Sequence, residues 1–111
     1  MKWLLPIVLL FAACDDEGQA NKGGFTEPAI ERLNEQIEKT PDNAALYFER
    51  GFIYDRLEKD SIALLDYKKA ISLDSTKAEY YSAIGNLLFE HKDIEGSVSW
   101  IEKALEFNAL L

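Results

Sequence analysis

The chain repeats its own pattern at an interval of 34 residues. When it is compared with itself at that shift, Tyr47 falls on Tyr81 and Gly51 falls on Gly85. A fixed period of this length predicts supersecondary units that bury their apolar faces only by stacking on one another. We therefore expect an all-α fold built from antiparallel helix pairs. The segments in register are residues 45–54 with 79–88 and residues 67–74 with 101–108.

Five helices are predicted by the spacing of apolar residues downstream of Thr26. Thr26 marks the start of the first helix, and Thr76 with Glu79 three residues later is typical of a capping box. Asp60 and Asp93 are placed to cap the second helix of each pair. The predicted helices cover residues 28–39, 43–57, 61–73, 77–90 and 94–108.

Two glycines lie inside the predicted first helices of the pairs. Glycine within a helix costs about 1 kcal/mol relative to alanine. We expect Gly51 and Gly85 to be retained because each allows the second helix of its own pair to approach closely. The small residues Ala63 and Ser97 lie at matching positions on those second helices.

The repeated positions resemble the sequence pattern of the tetratricopeptide repeat. The resemblance implies an antiparallel helix-pair solenoid of about two and a half units. A degenerate half repeat would cover residues 27–43, and full units would cover residues 44–77 and 78–111. The positions that carry the resemblance are Tyr47, Gly51, Tyr54, Ala63, Tyr67 and Ala70 in the first unit, and Tyr81, Gly85, Leu88, Ser97, Ile101 and Ala104 in the second.

The same resemblance implies where a ligand would bind. In the tetratricopeptide-repeat family the first helix of each pair lines a concave surface, and only Asn86 fits the family's pattern for gripping a terminal carboxylate. Two interpretations of the three aromatic residues in this set stay open: they form a groove for an apolar peptide or helix, or they pack into an ordinary core. The candidate groove residues are Phe48, Phe52, Asp55, Arg56, Ser82, Asn86 and Phe89.

The amino-terminal residues 1–13 have the plan of a secretory signal. A positive start, Met1-Lys2, precedes an uncharged run that is shorter than the roughly 17 to 25 residues needed to span a bilayer. The small residues before Cys14, the only cysteine, resemble the lipobox of bacterial lipoproteins. That resemblance implies that the signal is removed and that the Cys14 thiol carries lipid. A buried cysteine and a plain cleaved signal are the alternatives.

Residues 14–26 are polar and rich in acids and glycine, which predicts a flexible tether between lipid and repeats. With a lipid on Cys14, the expected location is the cell envelope, on the outer membrane or the cell surface rather than the inner membrane. Partners would then be the membrane, reached through that lipid, and an envelope protein or peptide.

Charge and motif content exclude several kinds of function. The net charge of −8, with Lys and Arg scattered along the chain, argues against nucleic acid as a partner. His91, the only histidine, is predicted to end a helix, and no metal, phosphate-loop or nucleophile pattern accompanies it. We therefore expect a protein that is not an enzyme and that uses no metal or other cofactor.

The sequence thus favours a membrane-anchored scaffold or adaptor. The alternatives are an accessory subunit or fragment of a larger envelope enzyme, and a structural homo-oligomer. Near the carboxyl end Phe107, Leu110 and Leu111 are expected to lack a polar capping element. They would fold back, belong to an incomplete chain, or be covered by another subunit through the last helix.

Overall fold

The structure is a computed structural model that describes residues 27–108. No strand occurs in this part of the chain, which confirms the all-α prediction, and every helix boundary lies within one residue of its predicted position. None of the helices in residues 27–108 has the length and apolar character needed to span a bilayer. The helices are α1 Pro28–Lys39, α2 Ala44–Arg56, α3 Asp60–Leu73, α4 Ala78–Glu90 and α5 Ile94–Asn108.

The chain divides into two compact units, Met1–Glu31 and Arg32–Leu111. In the first unit the described residues form the start of α1, where the Glu27 carbonyl accepts hydrogen bonds from the Ile30 and Glu31 amides at 2.8 and 3.2 Å. The predicted signal, Cys14, the tether and the Thr26 start signal lie outside the described residues. The second unit holds the rest of α1 and the two helix pairs.

The helix pairs are α2 with α3, here called repeat 1 (residues 44–77), and α4 with α5, here called repeat 2 (residues 78–108). Within each repeat the two helices pack along each other, and α4 also packs on both helices of repeat 1. The contact of α4 with α2 and α3 is therefore what joins the two repeats.

The turn inside each repeat has the same backbone geometry. After α2, the Glu58 amide bonds the Asp55 carbonyl and the Lys59 amide bonds the Tyr54 carbonyl, both at 2.9 Å, and Glu58 has a φ of 61°. This is a Schellman motif, which satisfies carbonyls at the end of the helix. The turn after α4 repeats it around Lys92, with a φ of 69°. The position after the cap thus has left-handed geometry in both repeats, although neither residue is glycine.

The helix starts correct two of the predicted caps. The Asp93 carboxylate accepts a hydrogen bond from the Gly96 amide at 3.0 Å, which confirms this cap at the start of α5. Asp60 is instead the first residue of α3, and Lys59 precedes it without a side-chain cap. The predicted capping box is also wrong, because the amide and hydroxyl of Thr76 both donate to Asp74 and Lys77 precedes α4. In each case the chain enters the helix one residue away from the position that capping requires.

A tyrosine in the first helix of each repeat holds the preceding turn. Tyr47 Oη donates to the Pro41 carbonyl at 2.9 Å, and Tyr81 Oη donates to the Ser75 carbonyl at 2.7 Å. The acceptor is a backbone group, so proline and serine serve equally at that position. This contact explains why tyrosine recurs at the 34-residue interval even though the proline does not.

The core consists of two clusters beside α4. Tyr80 packs with Ala44, Tyr47 and Ala70, and half-buried side chains that include Ile37 of α1 lie against them. Ile84 and Leu87 pack with Ala63 and Tyr67 in the second cluster. Both clusters combine residues of repeat 1 with residues of α4, so the contact between the repeats is part of the core.

Gly51 and Gly85 lie in close contact with the second helix of their own pair. A Cβ atom at Gly51 would lie 2.9 Å from Tyr67 Cδ1, and one at Gly85 would lie 2.7 Å from Ile101 Cδ1. The predicted reason for these glycines is therefore confirmed. Near the end of α5, Phe107 stacks on Tyr81 with ring centroids 5.2 Å apart. Phe107 is therefore partly covered by its own repeat, which agrees with the alternative that it folds back, whereas Leu110 and Leu111 lie outside the described residues.

Candidate functional site

A groove runs along α2 and is walled by apolar side chains. It has a volume of about 380 Å³ and is lined by Phe48, Glu49, Phe52 and Ile53. Half of the Phe52 surface, 50%, is exposed to solvent. One turn of helix separates Phe48 from Phe52, so both rings reach the same face of α2. The structure therefore brings two of the candidate groove residues into one concave apolar surface.

Phe48 belongs to this groove and to the core at the same time. Its ring centroid lies 4.8 Å from that of Tyr80 and 5.5 Å from that of Tyr67. These distances are typical of aromatic pairs that stabilise a protein interior. Phe48 thus forms the floor of the groove, whereas Phe52 presents a free edge to solvent. Phe48 therefore fits the core interpretation, whereas for exposed Phe52 the groove interpretation stays a prediction.

Asp55 forms a hydrogen bond within the fold. Its carboxylate accepts a hydrogen bond from Tyr67 Oη at 3.0 Å, joining α2 to α3. Burial of the Tyr67 hydroxyl, together with the negative charge of Asp55, raises the pKa of Tyr67 well above its usual value. Arg56, in the last turn of α2, is exposed. The structure therefore gives Asp55 a structural contact and leaves Arg56 accessible beside it.

The candidates on α4 do not line the α2 groove. Ser82 donates to the Glu79 carbonyl of its own helix at 3.2 Å, and it lines a separate cleft between α4 and α5. Asn86 and Phe89 are exposed on α4. Among the described residues, the seven candidates are thus distributed over at least two surfaces.

An ion pair that the sequence analysis missed lies beside the groove helix. Arg50 Nε and Nη2 donate to the two carboxylate oxygens of Asp66 at 2.9 and 2.8 Å, and Arg50 Nη1 donates to Asn34 at 2.8 Å. The hydrogen bonds to Asp66, which is almost completely buried, raise the pKa of Arg50. This geometry is the bidentate form that arginine and carboxylate favour. It connects α1, α2 and α3 through side chains.

The repeat itself contained a signal for this pair. At the 34-residue shift Arg50 corresponds to Ile84 and Asp66 corresponds to Trp100, so two charged residues replace two apolar ones. When two positions on facing helices are apolar in one repeat and carry opposite charges in the other, the two charged residues are expected to contact each other. Attention to the mismatched positions, rather than the matched ones, would have found the pair.

No group of three His, Cys, Asp or Glu side chains that could hold a metal ion occurs within residues 27–108. His91 follows the last residue of α4, as predicted, and its Nε2 atom contacts the Asp60 carboxylate at the start of α3. This contact ties the turn of repeat 2 to repeat 1.

Comparison with known proteins agrees with this architecture. The model of the tetratricopeptide repeat matches residues 44–77 and 78–109. These two matches cover more than half of the chain, so the protein belongs to the tetratricopeptide-repeat family. Proteins of this family are generally interaction scaffolds.

Individual relatives share part of the chain. It is 30% identical over 80 residues to the Hsp70-Hsp90 organizing protein of Triticum aestivum, a match that covers 72% of this chain and 14% of that protein. It is 29% identical over 68 residues to the lipoprotein NlpI homolog of Haemophilus influenzae, covering 61% of this chain and 22% of the relative. The crystal structure of MamA superposes with a TM-score of 0.69 at 26% identity, covering 72% of this chain and 47% of MamA. The chain therefore spans less than a quarter of the length of the wheat and Haemophilus relatives.

Proposed function

We propose that the protein is a lipid-anchored scaffold of the bacterial cell envelope, which binds an envelope protein or peptide through its repeats and catalyses no reaction. The observation that carries this proposal is the apolar groove of Phe48, Phe52 and Ile53 on α2. A half-exposed phenylalanine beside a buried one offers a large contact area that loses little conformational entropy on binding.

The groove suits an apolar side chain or a short helix of the partner. All four lining residues belong to α2, and their side chains are apolar apart from Glu49, so the groove offers an open apolar face rather than an enclosed pocket. Exposed Arg56 lies one turn beyond Phe52 on the same helix, and a charge at that distance would help to orient an acidic partner. The name of the wheat relative, which organises two other proteins, is consistent with such a role.

The anchor rests on the sequence. The run from Trp3 to Ala13, followed at once by Cys14, has the order of a lipoprotein signal. One relative is named a lipoprotein, which supports the same proposal. Acyl chains contribute about 0.8 kcal/mol for each buried methylene, so two or more chains on one cysteine would hold a small protein firmly on a membrane.

Site-specific crosslinking tests the groove. A photoreactive benzoyl-phenylalanine would replace Phe52 in the full chain, in cells that make the protein, and the matched control would carry it at Leu65. Leu65 is a suitable control because it is a large apolar residue that is 68% exposed on α3. We expect a discrete crosslinked product from position 52 and none from position 65. Equal products from both positions, or none from either, would contradict the scaffold proposal.

The anchor is tested separately with Cys14→Ser. We expect the unsubstituted protein to incorporate labelled fatty acid and to sediment with membranes, and the variant to do neither. Lipid attachment at Cys14 would be excluded if the variant still sedimented with membranes and still had the added mass of the acyl chains. Because the two experiments use different residues, the groove and the anchor can fail independently.

A further inference from the structure

Within residues 27–108, repeat 2 carries an open cleft between its two helices. The cleft has a volume of about 330 Å³, with Ala78 and Ser82 of α4 on one side and Ile101, Ala104 and Leu105 of α5 on the other. It is separate from the groove on α2. Small side chains form part of its wall, which leaves room for larger side chains from outside.

The same cleft exists in repeat 1, where α4 fills it. At the 34-residue shift Ala78 corresponds to Ala44 and Ala104 corresponds to Ala70, and Tyr80 packs against both of these alanines. One and two turns further along α4, Ile84 and Leu87 pack against Ala63 and Tyr67. The cleft of repeat 1 thus binds a helix with large side chains at positions i, i+4 and i+7, namely Tyr80, Ile84 and Leu87. The equivalent cleft of repeat 2 is expected to suit the same pattern.

The apolar stripe beside the open cleft is the counterpart of a covered one. Val98 and Leu105 on α5 are 49% and 58% exposed. Their counterparts in repeat 1, Leu64 and Ile71, are half-buried against the core clusters. Exposed Ile94 extends the stripe at its start. Equivalent residues therefore differ in exposure because α4 lies on one set of them.

The two clefts differ in the charges around them. Glu79 lines the open cleft from α4, while Glu95 and Glu102 precede Val98 and Leu105 by three residues and so lie beside the stripe. The counterparts of these three glutamates in repeat 1 are Ala45, Ser61 and Lys68. The cleft that accepts α4 has no acid at these positions, whereas the open cleft has three.

The glutamates around the cleft of repeat 2 indicate which kind of helix can bind there. Helix α4 contains Glu79 and Glu90 and no Lys or Arg, so a helix of that composition suits the neutral-to-basic cleft of repeat 1. A second copy of this chain, with a net charge of −8, would bring further acids against Glu95 and Glu102. Like charges placed opposite each other disfavour association. A helix with basic residues at its edges is the complementary ligand.

We propose that the cleft of repeat 2 binds an amphipathic helix of a partner protein, with large apolar or aromatic residues at i, i+4 and i+7 and with Lys or Arg beside them. The partner helix takes the place on repeat 2 that α4 takes on repeat 1. Ile101 and Leu105 contact its apolar face, and Glu79, Glu95 and Glu102 face its basic residues. The site shares no lining residue with the α2 groove.

Synthetic helical peptides test the proposal on the full 111-residue chain. The probe is a fluorescent 15-residue peptide with Tyr, Ile and Leu at i, i+4 and i+7 and Lys and Arg at the flanking positions. One control peptide has Glu at those flanking positions, and a second keeps the basic composition but shifts the apolar residues off one face. By fluorescence anisotropy we expect the basic amphipathic peptide to bind at least about tenfold more tightly than either control, and less tightly as salt rises.

Variants locate the binding. Leu105→Gln is expected to weaken peptide binding about tenfold or more, and the matched variant Leu65→Gln, on an exposed leucine outside the cleft, is expected to leave it unchanged. The double variant Glu95→Lys with Glu102→Lys should reverse the preference, so that the acidic peptide binds better. Because all these side chains are exposed, circular dichroism should show the same helix content in each variant.

Three results would overturn the proposal. One is equal binding of all three peptides, or equal loss from the two leucine variants. Another is no detectable binding of the basic amphipathic peptide to the unsubstituted chain, as would follow if a further segment of the natural protein filled the cleft. The last is a dimer in analytical ultracentrifugation that Leu105→Gln dissociates and Leu65→Gln does not, which would identify a second copy as the occupant.

Discussion

Repeat 1 and repeat 2 have the same helix pairing, the same turn geometry and the same tyrosine contact to the preceding turn, yet they differ in what covers them. Helix α4 lies in the cleft of repeat 1 and buries Tyr67 and Ala70. The equivalent surface of repeat 2 is open and bordered by glutamates. One repeat pattern thus produces either a core or an exposed apolar surface, depending on which element lies next to it.

The part of repeat 1 that faces α1 also differs from its counterpart in repeat 2. Arg50 and Asp66 form an ion pair that reaches Asn34 of α1, whereas their counterparts Ile84 and Trp100 pack in or against the core. A buried ion pair is weak evidence for stability, because the cost of removing two charges from water offsets much of their attraction. The pair instead distinguishes the two repeats. Arg50 and Asp66 pair with each other in repeat 1, whereas the equivalent positions of repeat 2 hold the apolar residues Ile84 and Trp100.

The largest expected effect comes from emptying the covered cleft. Tyr80→Ala removes the ring that fills it, and we expect the free energy of unfolding to fall by about 3–5 kcal/mol, as for other buried aromatic residues. Leu105→Ala at the open cleft should change it by less than about 0.5 kcal/mol, because the side chain is already exposed. Urea denaturation followed by circular dichroism measures both. A comparable loss from Leu105→Ala would show that the cleft of repeat 2 is covered in the protein.

A smaller difference is expected at the two glycines. In Gly51→Ala the new methyl group meets Tyr67, which is 1% exposed and cannot move aside, and we expect a loss of about 1–2 kcal/mol after the gain in helix propensity is included. In Gly85→Ala the nearest atom is the terminal methyl of Ile101, which borders the open cleft and can shift into it. That variant should lose less than about 1 kcal/mol. Thermal unfolding of the two variants side by side checks the order, and a reversed order would mean that repeat 2 is packed as tightly as repeat 1.

A further difference between the repeats is expected in the alkaline range. The pKa of Tyr67 is raised in the folded state above its ordinary value of 10.0, so the unfolded chain loses this proton first as pH rises. The contribution of the neutral Tyr67 hydroxyl to the free energy of unfolding is therefore fully present below pH 10.0. It is lost as the pH rises from there toward the pKa that Tyr67 has in the folded protein. Repeat 2 has Ile101 at the equivalent position and contributes no such loss there.

Tyr67→Phe tests this assignment. The variant should lose about 0.5–1.5 kcal/mol at pH 7, because the hydrogen bond to Asp55 is removed. Above pH 10.0 its stability should fall less steeply than that of the unsubstituted protein, by up to about 1.4 kcal/mol per pH unit. Chemical denaturation at pH 7, 9 and 11 gives both quantities. Parallel curves above pH 10.0 would contradict the assignment to Tyr67, leaving Tyr80 and Tyr81, whose pKa values are also raised, as the source of any slope.

Much of the fold could be predicted from particular residues. Tyr47 with Tyr81 and Gly51 with Gly85 placed both helix pairs in register, and the glycines also identified where the helices approach. Caps were harder, because Asp60 and Thr76 lie within one residue of the positions that would cap a helix, and a shift of one residue changes which amide a side chain can reach. The candidate groove was predicted in part. Phe48 and Phe52 do line one surface, but Asp55 is held by Tyr67 and Ser82 lies in another cleft.

The period, the helix pairs and the residues that pack within each pair follow from the sequence, because these features depend on neighbours that recur at fixed spacing along the chain. The packing of the helices was needed to show that Phe48 is buried against Tyr80 while Phe52 is half-exposed, and that Arg50 pairs with Asp66. It was also needed to show that equivalent apolar residues are covered in repeat 1 and exposed in repeat 2. The physical reason is that burial belongs to a residue's surroundings and not to its identity. Two repeats with one pattern have different neighbours, and those neighbours decide which apolar surface becomes core and which remains exposed.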